Sequence, residues 1–465
     1  MTAMLHRLLL AAVCLIAASP AHGITPKQVE PRDQPPFHHK PVVRLSPDLA
    51  DAGIAHAIER HLAVTAAAGQ DHNIFIRRIH DARIGDEGYI IDITPDQILV
   101  AANKPAGALY GIILLAELIE RDGGDAWKVP SQRITDWPSL EWRGMHVLFG
   151  SRNSIGSIET LITDVLPKLR LNQLILETNY NFAYQRRPEV ADPDHITLAD
   201  AKRLLNLARE NHIKLIPMLN CLGHQSWEDK TFQLLRAYPQ FDETPDRGWG
   251  EKGFYCKSWC PSHPDLNPIL FDLFDELIDA FEADTFHVGM DEVFIIGQCE
   301  RCRDQSPAEL FAKAVKDYHG HLIGKRGVRM MMWGDRLLDQ KTVGYSRWEA
   351  DDLGMAAAID AIPRDIVICD WHYESQAFPS VPDLMEKGFT VWPTGWRQVP
   401  SATKFVEAAL EHHGPQVPGY LATTWFPIDA VTKALVQAEP IGDKDIDPIV
   451  ETIRATSPLV WQGKP

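Results

Sequence analysis

Two adjacent carboxylates, Asp291 and Glu292, close the run Phe286-His287-Val288-Gly289-Met290-Asp291-Glu292-Val293. Paired carboxyl groups held in different protonation states can divide acid–base work, one donating a proton while the other stays ionised. The run reads as a short apolar strand over 285–291 that delivers the pair to a loop. Upstream, 262–282 reads as an amphipathic helix. Ser262 is placed to cap it, and Leu270, Leu273, Phe274, Leu277, Ile278 and Phe281 recur at helical spacing. Helix, short strand and polar end is the order found in a β/α barrel, where the C-terminal strand ends carry the chemistry.

The elements around this pair follow the same order. Strands are expected at 142–149, 173–177, 214–219, 285–291, 328–333, 365–371, 389–393 and 419–425, and helices at 158–171, 200–212, 308–325 and 402–412. Eight strands are the number that closes a parallel (β/α)8 barrel. An open doubly wound sheet would carry a Gly-rich phosphate loop after its first strand, and none is present. The expected strand ends carry Glu177; then Asn220, Cys221 and His224; then Trp333 and Asp335; then Asp370, Trp371, His372 and Tyr373; then Trp396 and Trp425. Aromatic faces stack on the C–H faces of sugar rings, and carboxylates bind hydroxyls or move protons, so this constellation points to carbohydrate. His224 and His287 are candidates for the shell supporting the acid pair, and a satisfied core His is the alternative for His287.

Ahead of the barrel, 24–45, with Pro26, Pro31, Pro35, Pro36 and Pro41, reads as an extended lead-in. A small α/β unit follows, with strands at 74–76, 89–93 and 97–100 and a helix over 106–120. The division is 1–23 leader, 24–135 non-catalytic α/β domain and 136–465 barrel. His6 and Arg7 precede an apolar stretch too short to span a bilayer, and Ala21-His22-Gly23 offers a cleavage point, so the chain is expected to be exported to the periplasm or beyond. Charged residues are 23% and hydrophobic residues 45% of the 465-residue chain, an ordinary globular balance. The formal net charge is −17 with no basic run in the mature part, which argues against nucleic acid or an anionic membrane as partner.

Cysteine spacing raises a separate question. Cys256-x₃-Cys260 and Cys299-x₂-Cys302 are two close pairs, one in the long segment before the acid pair and one just after it. Four thiolates so spaced suit a structural zinc site; export favours two disulfides instead; free thiols are the third outcome.

The run His287-Val288-Gly289-Met290-Asp291-Glu292 resembles the His-x-Gly-Gly-Asp-Glu signature of family 20 glycoside hydrolases, the β-N-acetylhexosaminidases. Ile213–Pro217 with Gly223-His224 is similar to that family's third-strand motif, and Ala101–Leu118 to the end of its N-terminal domain. Leu174–Glu177 and Asp291–Phe294 look closest to its hexosaminidase D branch. The resemblance implies an exo-acting, retaining enzyme that needs no cofactor and acts on N-acetylated amino-sugar glycans. In that mechanism the substrate's 2-acetamido oxygen is the nucleophile, Glu292 the general acid and Asp291 its ionised partner. Trp333, Trp371, Trp396 and Trp425 are expected to line one sugar subsite, with Asp335 and Tyr373 as polar contacts. The chain departs from the pattern at Met290, in place of the second Gly; at Leu148 and a displaced Arg152, in place of the Asp and Arg ending strand one; and at Glu177, in place of a His. The departures in strands one and two keep one rival open, an inactive amino-sugar-binding protein; a separate rival is a metal-dependent amino-sugar deacetylase, which would need His and Asp ligands gathered at one site.

Overall fold

A computed structural model describes residues 24–67, 71–121, 123–437 and 439–463. The expected leader at 1–23 lies outside the described residues. Among the described residues no helix is long and apolar enough to cross a membrane.

Eight parallel strands close into a barrel: β1 (Trp142–Leu148), β2 (Gln173–Glu177), β3 (Lys214–Cys221), β4 (Thr285–Gly289), β5 (Arg329–Trp333), β6 (Val367–Trp371), β7 (Thr390–Gly395) and β8 (Gly419–Ala422). They are nearly continuous apolar runs because both faces are covered; every residue of β2, β4, β6 and β8 is buried. The period of two sorts their side chains. Leu174 and Leu176 of β2 pack outward in the large core beneath the helices, whereas Ile175 points inward with Met218, Met331, Trp333, Trp371 and Trp392. Gly144 of β1 has no alternative, since a Cβ there would lie 2.4 Å from the Trp392 ring.

In front of the barrel stands a six-stranded sheet in the order Gln28–Pro31, Gln132–Asp136, Tyr89–Ile93, Ile98–Ala102, Ile74–Arg78, Val43–Leu45. The helix Pro105–Leu118 packs on it through a core of its own. The two parts are joined by buried polar contacts: Arg143 of β1 makes a two-pronged ion pair with Glu87 at 2.9 and 3.1 Å, and Trp461 of the last helix donates to Asp136 at 2.8 Å. Arg143, near the start of β1, is therefore a tie between the two parts of the chain.

Three expectations at this level are corrected. The proline-rich lead-in is itself part of the sheets, with Gln28–Pro31 pairing antiparallel to Gln132–Thr135; it occupies an edge, where prolines that cannot donate are tolerated. Ser262 caps nothing: the helix runs Leu266–Phe281 from Asp265, which makes no side-chain cap. Pro264 keeps His263 out of helical conformation and delays the start. Two strands stop short of the expected ends. β4 breaks at Gly289 and Met290, which take φ of 67° and 73°, and β8 ends at Ala422, leaving Trp425 in a loop.

Candidate active site

The strand breaks are where the chemistry gathers. Left-handed backbone occurs at Asn179 after β2, at Leu222 and His224 after β3, at Gly289, the last residue of β4, and Met290 and Glu292 beyond it, and at Trp425 after β8. Conformations of this kind cost non-glycine residues energy and collect at functional sites. Gly289 is required twice over, because a Cβ would also strike Asn220 Oδ1 at 2.1 Å. Met290 meets the same demand for positive φ without glycine's freedom. The β3–β4 register is irregular between Met218 and Cys221, a bulge that turns Asn220 toward the end of β4.

A chain of polar contacts runs around the barrel mouth. His146 Nε2 lies 2.9 Å from Glu177 Oε2, and Asn179 donates to Glu177 Oε1 at 2.8 Å. Asn179 Oδ1 accepts the Asn220 N–H at 2.8 Å, and Asn220 Nδ2 donates to Asp291 Oδ1 at 3.0 Å. His224 Nε2 then sits 3.3 Å from both Asp291 Oδ2 and Glu292 Oε2, at ion-pair distance from each and aligned as a hydrogen bond with neither. Beyond it, Asp335 Oδ2 accepts the Glu292 backbone N–H at 2.9 Å and Oδ1 accepts Trp371 Nε1 at 3.1 Å.

Charge states follow from these neighbours. Burial alone would raise the Asp291 carboxyl, but the charge of His224 beside it and the hydrogen bond from Asn220 outweigh it and hold the group below the usual carboxylate range. Burial likewise opposes the charged form of His224, yet Asp291 and Glu292 lift its pKa well above the ordinary value. Burial pushes Asp335 up to about 6 despite the Arg336 guanidinium 2.7 Å away. His287 is buried and driven down to about 3, so its ring is neutral; its Nδ1 accepts the Gly289 N–H at 3.0 Å.

The aromatic residues join the same assembly. Trp425 Nε1 donates to Tyr373 Oη at 2.7 Å, and the Tyr373 ring lies against Trp371 at 4.8 Å and Trp396 at 5.3 Å. Trp425 also meets His146 at 4.5 Å and Trp333 at 5.5 Å, and Trp333 meets His287 at 4.5 Å. The acid pair, Glu177, His224, His287, Asp335, Tyr373 and the four tryptophans are thus linked to one another, but not all on one wall; Cys221 packs in the outer core, and Asp370 and His372 bond to each other and to Ser380 instead. Trp333 is fully buried and forms a floor. Asp335, expected as a polar contact, spends its acceptors on Glu292, Arg336 and Trp371 and stands behind the acid. Arg152 pairs with Asp200 at 3.4 Å, away from this network.

Sequence reading missed His146, which looks like an ordinary polar residue in a strand, and passed over the bridging roles of Asn179 and Asn220. It also missed an aromatic rim beside His224. Tyr255 lies 5.7 Å from that ring, with Trp227 (56% exposed) and Trp348 (43% exposed) packed on Tyr255. His224, Asp291 and Glu292 offer ligand atoms within 4.8 Å of one another, so a metal ion is the second thing this trio could hold.

Residues 25–137 match the profile of glycosyl hydrolase family 20, domain 2, and residues 166–392 that of the glycosyl hydrolase family 20 catalytic domain. A lacto-N-biosidase of Bifidobacterium bifidum is 22% identical over 343 residues, 71% of this chain and 28% of its own. A beta-hexosaminidase of Akkermansia muciniphila is 24% identical over 243 residues, 47% of this chain and 48% of its own. The chain therefore spans about half or less of the length of these relatives. In structure it is similar to a beta-N-acetylhexosaminidase from Bacteroides fragilis, with a TM-score of 0.72 at 18% identity over 95% of this chain and 91% of that one. At that identity the likeness establishes the fold.

Proposed function

The chain belongs to glycosyl hydrolase family 20, and from that premise we propose that it removes terminal N-acetyl-β-hexosamine residues, exo-acting and with retention, using the substrate's 2-acetamido oxygen as nucleophile. The observation that carries this reading is the asymmetry of the acid pair. Asp291 is fixed by Asn220 and kept ionised beside charged His224, while Glu292 is presented separately by Asp335. An ionised Asp291 receives the acetamido N–H, aims the carbonyl oxygen at the anomeric carbon and stabilises the positive charge that develops on the ring. Glu292 gives its proton to the leaving oxygen, then takes one from the water that opens the cyclic intermediate. Trp371, Trp396 and Trp425 supply faces for the sugar. The Glu177–His146 pair is positioned for hydroxyls at its non-reducing end, where the family pattern is broken. Tyr255, Trp227 and Trp348 offer an apolar surface to the leaving group on the Glu292 side. The leader expected at 1–23 would export the protein to its glycan.

Hydrolysis of aryl N-acetyl-β-glucosaminide and N-acetyl-β-galactosaminide tests the assignment. Glu292→Gln should lower the rate on the order of a hundred- to ten-thousandfold, and an unchanged rate would sink it. A thiazoline analogue of the cyclic intermediate separates enzyme from binder: an active site binds it far more tightly than N-acetylglucosamine, an inactive lectin-like pocket binds both equally. The three clustered donors at His224, Asp291 and Glu292 give the deacetylase reading its one support. Acetate release that stops on chelation would favour it over glycoside cleavage.

A further inference from the structure

Outside the barrel mouth a second group of reactive side chains converges. Cys260 Sγ is 3.4 Å from Cys302 Sγ and 3.4 Å from Cys299 Sγ. With the Glu243 carboxylate, the three sulfurs form a set whose ligand atoms all lie within 4.8 Å of one another. Glu243, Cys260 and Cys302 are buried and Cys299 partly so, and a cavity lined by Gln240, Asp242, Cys260, Cys299, Glu300 and Arg301 opens onto them. The fourth cysteine of the expected set is elsewhere: Cys256 is buried beside His224, on the catalytic side. Spacing along the chain suggests two pairs; the fold gathers three sulfurs and a carboxylate.

The local backbone explains the convergence. Cys299 and Cys302 sit on one turn, in which the Cys299 carbonyl accepts from the N–H groups of Cys302 and Arg303 at 3.1 and 3.0 Å. That turn directs both sulfurs to one side. Glu243 is held in place by the N–H groups of Gly297, Gln298 and Cys299 at 3.3, 3.0 and 2.7 Å, which fixes the carboxylate and leaves lone pairs for a cation. Cys260 is anchored from the other segment, its N–H donating to the Phe241 carbonyl at 2.7 Å. A disulfide joins two sulfurs and would leave the third thiol stranded in the cluster. Ligands of a tetrahedral zinc ion, by contrast, stand about 3.8 Å apart for Zn–S bonds of about 2.3 Å, within a few tenths of an ångström of the observed spacing.

We propose that Cys260, Cys299, Cys302 and Glu243 bind a thiophilic divalent cation of the zinc type, with Cys256 taking no part. Such an ion clasps the segment after Glu292 to the long insertion between β3 and β4. Cys299 follows Glu292 by only seven residues, so the clasp fixes the loop on which the acid is presented, while its chemistry stays outside the catalytic pocket. The assignment is independent of the glycosidase reading.

The test is the metal content and unreduced intact mass of the full chain, expressed with added zinc and purified without chelator. Stoichiometric zinc with no loss of two hydrogens is expected. Cys256→Ser should retain the metal and Cys302→Ser should lose it. Glu243→Gln should weaken zinc affinity by at least the roughly ten- to hundredfold that loss of an outer-shell partner costs, seen as faster transfer to a chromogenic chelator. A zinc-free folded chain, whether disulfide-bonded at Cys260 or with all thiols free, overturns the proposal. So does zinc retained by Cys302→Ser or lost by Cys256→Ser. Should Cys302→Ser fail to fold, the wild-type metal content and Cys256→Ser decide the matter.

Discussion

Asp335 accepts the backbone N–H of Glu292 at 2.9 Å, and so holds in place a residue whose φ of 48° is foreign to an ordinary glutamate. Removing that acceptor leaves a buried N–H unpaired and frees the acid to relax. Such a loss is worth about 1.5–3 kcal/mol for a charged partner, or about ten- to a hundredfold in rate. Asp335→Ala should therefore lower kcat by that amount while KM moves little, as steady-state kinetics would register. Asp335 titrates at about 6, so protonation below that pH should erode activity in the wild type, and in Asp335→Asn this part of the acid limb should vanish.

His224 bridges the two carboxylates at 3.3 Å from each, and its raised pKa keeps it charged through neutrality. As pH climbs through that raised value the charge disappears and the restraint on Asp291 with it. His224→Gln should abolish the alkaline limb that this group sets and lower kcat/KM at neutral pH. A pH–rate profile of the variant with an unchanged alkaline limb would assign that limb elsewhere.

The barrel strands could be read from sequence because a strand covered on both faces must be apolar almost throughout, as 173–177 and 367–371 are. Asp291 and Glu292 stand out in the sequence as well, because they close such a run with a His, a Gly and apolar neighbours around them. His146 does not, and Asn179 and Asn220 could be placed at strand ends without their roles, because nothing local distinguishes a polar residue that bridges two strand ends from one that faces solvent. Only the bulge between Met218 and Cys221 brings Asn220 to Asp291. The rim of Tyr255, Trp227 and Trp348 comes from loops whose course no periodicity reveals. Cysteine spacing shows that pairs exist but not which way each sulfur faces, so spacing alone groups Cys256 with sulfurs it does not meet.

Two of the tryptophans at the mouth, Trp333 and Trp425, should behave differently. Trp333 is fully buried against His146 and His287, and its truncation to Ala should destabilise the fold by about 3–5 kcal/mol. Trp425 sits in a loop and is only partly buried. Trp425→Ala should leave the unfolding midpoint nearly unchanged and raise KM by roughly tenfold, about the 1.4 kcal/mol of a lost aromatic face. Denaturant titration alongside kinetics separates the two effects.

Buried histidines predict how stability follows pH. His287 titrates at about 3 when folded, far below its unfolded value near 6.5. The unfolded chain therefore binds the extra proton first, and stability on its account is full above about pH 6.5 and falls as pH drops toward 3. His372, raised to about 9 by Asp370 and Glu349 against the pull of burial, works in the opposite sense. Its contribution is full below about 6.5 and lost as pH rises through 9. Urea denaturation across this range should give a maximum between the two limbs, and His287→Gln should flatten the acid one.

Participation of the substrate's acetamido group is the central claim, and it can be read from a series of aryl glycosides in which only the N-acyl group changes. Fluorine atoms on the acetyl methyl withdraw electrons from the carbonyl oxygen while barely altering size. If that oxygen, oriented by Asp291, attacks the anomeric carbon, log kcat/KM should fall steeply and steadily from N-acetyl through mono-, di- and trifluoroacetyl. A flat series, with the trifluoroacetyl substrate cleaved as fast as the acetyl one, would contradict the account.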